Sequence, residues 1–471
     1  MSFISYTFVA LFLVVYAGRL LIGRRKTETP YVALLLLASC AFYAWHVPAY
    51  LLVLLTSTVI DYFAALWMVR LPERSARRRL LLAASLVANL GMLGFFKYAG
   101  FATESIGRVL GLLGLGLPVG TLDVVLPIGI SFYTFQSMSY TVDVYRGQLQ
   151  PTRDFTRFLL YVCFFPQLVA GPIVRARDFL YQFARRRQLS LQTFNAGLYL
   201  IVRGYFLKVV CANNIAVCVD RYWDAGWQGA LNSPALLLLA ILFSFQIFCD
   251  FEGYSSIARG LANLLGFRLP LNFNNPYLAT SFKNFWQRWH ITLSQWLRDY
   301  LYLPLGGNRG GRWRTLTNLM IVMLLGGLWH GAAFHFIVWG GIHGAALVVE
   351  RLLGLERAGA GRPRALRIAW AVVVQFGVLA AWIFFRSPWV SAGTAFIRGI
   401  LACDLAAPPT EILWAGLFLL PPLLMHLRGL ATERGWLPKS GRVEQALAAG
   451  VMGAALITCY GPDSAFIYFQ F

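Results

Sequence analysis

The sequence predicts an all-α, polytopic membrane fold of about 11–13 transmembrane helices, together with re-entrant and interfacial amphipathic helices. Three observations carry this. Of 471 residues, 58% are hydrophobic and 13% charged, with mean hydropathy +0.61, whereas soluble domains carry about 25% charged residues. Apolar runs of about 17–25 residues recur along the chain, each long enough for a helix to cross a hydrocarbon core of roughly 30 Å. The short alternating segments that membrane-spanning strands would need are not evident.

The elements follow in order. Apolar spans fall near residues 3–22, 31–47, 49–69, 80–96 and 122–142. No basic stretch precedes the first, and Arg24, Arg25 and Lys26 follow it, so it is expected to remain as an anchor with its start outside. Basic gaps at 24–26, 70–79 and 146–157 fall on alternate loops and can all be cytoplasmic. The run 158–174 is broken by Pro166, Gly171 and Pro172 and has arginines on both sides, including Arg153, Arg157, Arg175, Arg177 and Arg185 to Arg187. A full crossing would leave a basic loop outside, so this run is expected to be re-entrant. Irregular backbone at that depth needs cover from protein or a water-filled cavity.

Spans at 194–219 and 234–250 lead into a long basic segment, 251–314, expected to be cytoplasmic. A helical hairpin, 316–330 and 334–350, returns to a basic loop at 351–367. Spans near 368–386, 410–427 and 445–461 complete about twelve crossings and put both ends outside. No long polar linker or clear repeat divides the chain, so residues 1–471 are read as a single integral-membrane domain. The net charge of +21 lies in short gaps rather than along one soluble face, which fits the positive-inside rule and not nucleic acid. Cys40, Cys163, Cys211, Cys218, Cys249, Cys403 and Cys459 have no zinc-ligand spacing and read as small buried hydrophobes.

The chemistry concentrates in two stretches. In "FKNFWQRWHITLSQWLRDYLYLPLGGNRGGR" a helical period places Phe285, Trp286, Trp289, Leu293, Trp296, Leu297 and Tyr300 on an arc of roughly 120°, suited to the membrane interface, with His290 about 20° beyond it. His290 then either faces the edge of a cavity or snorkels from an interfacial helix. In "LGGLWHGAAFHFIVWGGIHG", His330 falls roughly 22 Å along a helix that enters near Thr315, deep in the membrane. An ionisable group there is a functional candidate, and the alternative is a core histidine bonded to a carbonyl. Gly326, Gly327 and Gly331 leave room for backbone or substrate to approach.

No metal is expected. His330, His335 and His343 are spaced i,i+5 and i,i+8, so no pair shares a helical face at ligand spacing. His343 reads as a packing group or a support for a ligand-contacting neighbour, and His335 lies near the hairpin turn. Asp250 and Glu252 close an apolar span and either orient a cation or mark the interface. "GGNRGGR" lacks the GK[ST] ending of a Walker loop; it either holds phosphates or rests as a basic loop on anionic lipid. GxSxG and GxGxxG are missing, which leaves hydrolase and dinucleotide readings without a foothold.

These residues resemble a known family. "CDFEGYSSIARGLANLLGFRLPLNFNNPYLATSFKNFWQRWHITLSQWLRDYLYLPLGGNRGG", then "GGLWHG" and "WGGIHG", with "LPIGISFYTFQSMSYTVDVYRG" and "FFPQLVAGPIVR" upstream and "FIYFQF" at the end, is similar to the bacterial alginate O-acetyltransferase branch of the membrane-bound O-acyltransferases. The resemblance covers nearly the whole chain. It implies a tunnel lined by His290 and His330, with His330 the principal catalytic residue and His290 orienting the donor or stabilising charge.

Two departures stand out. Asp250, Phe251, Glu252, Gly253 and Tyr254 occupy a stretch that often reads D-F-S-G-Y. Ala333 and Phe334, with the extra His335, stand where Asn and Trp often follow WHGA.

The implied reaction moves an acyl group from a cytoplasmic thioester to a hydroxyl arriving from the outer side. The donor is expected to be acetyl-CoA, as a co-substrate rather than a bound cofactor, entering from the face that carries Arg288 and Arg298. Asp250, Tyr254, Asn275, Trp289, Trp329 and His343 complete the candidate substrate-binding set. The implied acceptor is an exported polysaccharide such as alginate, with the acyl group passed through a serine of a periplasmic acetyltransferase or a polysaccharide secretion complex. The implied location is the bacterial inner membrane, crossed many times. Peptidoglycan, cellulose or teichoic acid are rival acceptors, and a transporter or a non-catalytic scaffold are rival classes.

Overall fold

The computed structural model describes residues 1–22, 29–115, 124–169, 171–184, 189–224, 227, 231–357 and 363–467. The basic gap at 24–26, the arginines 185–187, the start of the span expected from 122 and the last residues of "FIYFQF" lie outside these. The described residues are helical, with no strand among them, and they form two compact units. One unit holds Met1–Leu198 and Ile257–Pro270, the other Tyr199–Ser256 and Leu271–Phe471.

The first unit contains α1 (Tyr6–Ile22), α2 (Thr29–Ala44), α3 (Tyr50–Met68), α4 (Ala76–Leu112), α5 (Ile130–Tyr145), α6 (Phe155–Cys163), α7 (Phe165–Leu168), α8 (Ala176–Phe179), α9 (Tyr181–Ala184) and the start of α10 (Leu191–Tyr205). Side chains set the helix starts: Ser75 accepts from the Arg78 N–H ahead of α4, and Asp154 from the Arg157 N–H ahead of α6. Gly129 begins α5 at φ 76°, and a Cβ there would lie 2.5 Å from the Leu168 carbonyl oxygen, so both conformation and space call for glycine.

The run expected to be re-entrant is broken at Phe164 into α6 and α7, with Pro166 in the first turn of α7, and it is buried throughout 158–168. Its interrupted backbone finds side-chain partners. Phe165 N–H donates to Ser39 Oγ, and the Gln167 amide donates to the Tyr161 carbonyl at 2.7 Å.

The second unit contains a π-helical turn (Phe206–Ala212), α11 (Asn213–Asp224), most of α12 (Ser233–Leu265), α13 (Phe282–Arg288), α14 (Ile291–Leu297), a further π-helical turn (Arg298–Tyr302), α15 (Gly311–His330), α16 (Phe334–Leu352), α17 (Arg364–Arg386), α18 (Val390–Leu401), α19 (Thr410–Gly416), α20 (Leu420–Glu433) and α21 (Arg442–Thr458).

Among the described residues, six helical stretches are long and apolar enough to cross a membrane: Tyr50–Met68, Ala76–Leu112, Leu191–Trp223, Ser233–Leu265, Arg364–Arg386 and Thr410–Glu433. The molecule is a multi-pass membrane protein. Shorter apolar helices, Tyr6–Ile22, Thr29–Ala44 and Val390–Leu401, accompany them. The hairpin α15–α16 lies outside the six. Arg312, Arg314 and Asn318 in one arm and His335, His343 and Glu350 in the other make it less apolar than a lipid-facing span.

Two expectations are corrected. The helix read as continuous through His290 is interrupted there, and Phe285, Trp286, Trp289, Leu293, Trp296 and Leu297 are buried in protein rather than presented to an interface. Of the cysteines, Cys403 and Cys459 are exposed.

Candidate active site

The site begins with how α13 is held. Ser281 caps it by accepting from the Asn284 N–H, and the Glu350 carboxylate on α16 takes the first two helical N–H groups, those of Phe282 and Lys283, at 2.8 and 2.9 Å. The helix N-terminus favours that negative charge. At its other end the backbone turns out of the helix at Trp289 and enters the left-handed region at His290, φ 40° and ψ 54°. A non-glycine residue held there costs about 1–3 kcal/mol, strain that clusters at functional sites. The segment 272–274 braces the turn from both sides, with Ile291 N–H donating to the Asn272 carbonyl and Asn274 N–H to the Arg288 carbonyl, both at 2.9 Å.

That brace fixes the His290 ring. Asn272 Oδ1 accepts from Thr292 Oγ1 at 2.8 Å and from the Thr292 N–H at 3.3 Å, and it lies 3.1 Å from His290 Nδ1. A backbone N–H can only donate, so the Asn272 atom is the oxygen and His290 Nδ1 carries the proton. Nε2 is then the ring's proton-accepting nitrogen. His290 is 0% exposed and lies outside the six spans. Burial pushes its imidazole down to about 3, so the ring is neutral at physiological pH.

His330, 5% exposed, ends α15 before the extended Gly331. Three rings meet it edge to face: Trp339 at 4.8 Å, Trp329 at 5.0 Å and Phe385 at 5.3 Å between centroids. Trp329 also meets His290 at 6.2 Å, so one indole borders both imidazoles. His343, 0% exposed, stacks on Phe285 and meets Trp286 and Trp339 edge-on. The indole N–H groups of Trp286, Trp339 and Trp382 and both His343 nitrogens are buried without a hydrogen-bond partner in the described residues. Such orphaned donors are uncommon in folded proteins.

A pocket of about 390 Å³ opens beside this cluster. Lys283, Arg298 and Tyr302 give it polar edges, Leu319, Val322 and Met323 an apolar wall, and Trp286 a boundary shared with the indole cluster.

The other sequence candidates separate. Trp289 is buried among Phe273, Phe285 and Trp382, and Trp329 joins the two histidines. Arg298 lines the pocket while its Nε pairs with Asp299. Arg288 is committed elsewhere: Nη1 and Nη2 bind the Glu433 carboxylate at 2.7 and 2.8 Å, Nη1 also reaches the Asn274 carbonyl, and Nε donates to the Asn284 side chain. Asn275 packs against Gly429 instead of a histidine.

Asp250 forms a buried ion pair with Lys208 at 2.8 Å and accepts from the Ile467 N–H, and Tyr254 packs on Phe466. Glu252, the departure from the usual serine, is matched by Arg203 and Ser256. Gly327 and Gly331 do permit close approach, since a Cβ on either would collide with Phe336. His335 starts α16 and meets the Phe384 carbonyl.

Sequence reasoning missed Asn272, Trp339, Phe385 and Glu350. Trp339 carried a usable signal, because it precedes His343 by one helical turn.

A helical, many-times-crossing membrane protein with imidazoles buried among indoles is suited to moving a proton off a hydroxyl where water is scarce. Matched against known sequences, the chain belongs to the membrane-bound O-acyltransferase family, MBOAT, whose pattern covers residues 148–387 and so contains both histidines. It is an O-acyltransferase.

It is 40% identical to a probable alginate O-acetylase of Pseudomonas aeruginosa over 392 residues, 82% of this chain and 72% of that one. A peptidoglycan O-acetyltransferase of Helicobacter pylori is 35% identical over 80% of this chain and 76% of its own. A teichoic acid D-alanyltransferase of Streptococcus thermophilus is 31% identical over 49% and 58%.

Proposed function

We propose that this O-acyltransferase works in a bacterial inner membrane and moves an acetyl group from cytoplasmic acetyl-CoA to hydroxyls of an exported polysaccharide, alginate. The observation that carries the reading is the approach of His290 and His330 to one shared indole, Trp329. The alginate relatives, matched over most of both chains, support the polymer. The acyl group reaches it through a serine of a periplasmic partner enzyme in the secretion complex.

In this reading His330 takes the hydroxyl proton as the alcohol oxygen attacks the thioester carbonyl carbon. The tetrahedral intermediate then collapses, the C–S bond breaks and the leaving thiolate takes up that proton, so the base is restored. The orphaned indole N–H groups of Trp286 and Trp339 are donors of the kind the oxyanion needs. His290, whose Nδ1 proton is committed to Asn272, can only accept at Nε2 and so orients a donor group on a substrate. Lys283 and Arg298 suit the phosphates of the thioester.

His330→Ala and His330→Gln should lower the acetyl content of secreted polymer by roughly 10²-fold or more with normal membrane levels of the protein. Near-normal acetylation in either variant would remove His330 from the chemistry. The peptidoglycan relative favours a second acceptor. Acetyl analysis of both polymers in a strain lacking the protein separates the two.

A further inference from the structure

A cavity of about 630 Å³ in the second unit lies outside the site described above. Three arginines line it, Arg364, Arg367 and Arg434, the last with its guanidinium over the Trp436 ring at 4.8 Å. The carboxylates around them are engaged elsewhere. Glu433 is held by Arg288, Glu356 lies between Lys283 and Arg351, and Glu350 caps α13 and accepts from the Trp370 indole. Among the described residues no carboxylate pairs with Arg364, Arg367 or Arg434. Three like charges around one cavity, beside the N-terminal turn of α17, favour an anion.

The cavity does not end at the arginines. Ile368, Ala371, Val372 and Phe376 carry its wall along α17, one of the six spans. Through Tyr277, Gln375 and Phe376 it shares its boundary with a narrower groove of about 230 Å³ walled by Leu237, Ile241, Phe245, Val378 and Leu379.

The few polar groups in that groove are already satisfied internally. The Gln375 amide donates to the Ala279 carbonyl at 2.8 Å, the Tyr277 hydroxyl to the Ser244 carbonyl, and the Ser244 hydroxyl to the Ala240 carbonyl. Such a lining accepts hydrocarbon and offers a nucleotide or sugar nothing to bond. From Arg367 to Leu379 the helix rises about 18 Å, a little over half of a hydrocarbon core of roughly 30 Å and close to the depth of one leaflet.

We propose that this cavity binds an anionic phospholipid, its phosphate held by Arg364, Arg367 and Arg434 and one acyl chain laid in the groove along α17. Charge complementarity sets the headgroup, and the satisfied apolar groove sets the tail. A lipid here would brace α17, which also supplies Trp382 and Phe385 to the histidine cluster.

The test uses purified full-length protein and native mass spectrometry with equimolar phosphatidylglycerol and phosphatidylcholine. The wild type should retain phosphatidylglycerol preferentially. Arg364→Gln, Arg367→Gln and Arg434→Gln should each weaken that retention about fivefold, and together abolish the preference. Ile241→Trp, which fills the groove and leaves the charges, should lower it as well. Glycerol phosphate, a headgroup without tails, should fail to displace the lipid. Equal retention of both lipids by the wild type, an unchanged preference in the triple variant, or displacement by glycerol phosphate at equal concentration would each overturn the proposal.

Discussion

At the scale of single residues, the side chain that decides what His290 can do is Asn272. Its Oδ1 collects Thr292 Oγ1, the Thr292 N–H and His290 Nδ1, while its Nδ2 lies 3.3 Å from Ser255 Oγ. Asn272 is thus a positioning residue, acting through the tautomer and orientation of the ring. Asn272→Ala should lower kcat by about 10–100-fold with a smaller change in KM, since an unanchored imidazole loses orientation more than binding surface. Asn272→Asp keeps the acceptor and adds a negative charge, which favours the imidazolium and raises the His290 pKa. Below that raised value the ring is protonated and cannot accept. The variant should therefore lose activity as pH falls, with an acid limb missing from the parent, whose His290 stays neutral down to about 3. Parallel pH profiles for the two proteins would refute the assignment. His330 stood out in the sequence because an ionisable group within an apolar stretch is costly, and His290 because it falls just beyond an aromatic stripe. Asn272 was not, because its role depends on a stretch of backbone eighteen residues earlier folding against the ring.

At the scale of elements, the hairpin α15–α16 positions His330 and Trp339, and small residues let its arms touch. A Cβ on Gly327 would lie 2.2 Å from the Phe336 carbonyl oxygen, and one on Gly340 2.3 Å from the Met323 carbonyl oxygen. Both obstacles are backbone, so the arms must separate. Gly327→Ala or Gly340→Ala should cost about 1–3 kcal/mol and lower the unfolding temperature of the purified protein. Gly326→Ala is the control, because its Cβ would meet only Leu297 Cδ1 at 3.4 Å. Equal effects at the three positions would contradict the packing described. The hairpin could be read from two apolar stretches around a short turn. The break at His290 could not, because the aromatic period continues through it, and only the brace from 272–274 makes the left-handed turn tolerable. The same pattern has two physical explanations: a helix lying on lipid and a helix buried in protein both need one apolar face. Burial of Phe285, Trp289 and Leu293 decides for the second.

At the scale of the whole molecule, composition was enough for an all-helical membrane protein but not for the count of crossings. Hydropathy registers an apolar run equally when it faces lipid and when it faces protein, and α5, buried along nearly its whole length, is of the second kind. The last described segment illustrates what composition cannot convey. Lys208, in the π-helical turn, pairs with Asp250 on α12 and donates to the Ser464 carbonyl, while Asp250 accepts from the Ile467 N–H. Phe466 then packs on Phe251 and Tyr254, next to the His290 ring. Residues 461–467 are fastened to the rest of the second unit by this buried ion pair and by bonds of their own, Ser464 Oγ to Asn213 Oδ1 at 2.7 Å and the Gly461 N–H to the Val209 carbonyl at 3.1 Å. Lys208→Met or Asp250→Asn alone should destabilise by about 3–5 kcal/mol, since each leaves a buried charge without its counterion. The double variant leaves neither charge, and the amide introduced at position 250 can still accept from the Ile467 N–H, so it should be more stable than either single variant in thermal unfolding. A double variant that retains acyl transfer would assign Asp250 to holding this segment, whereas one that is stable and inactive would return it to the substrate. Additive losses in the two singles would mean that the charges act independently, and that the bonds to Asn213 and Val209 rather than this pair secure residues 461–467.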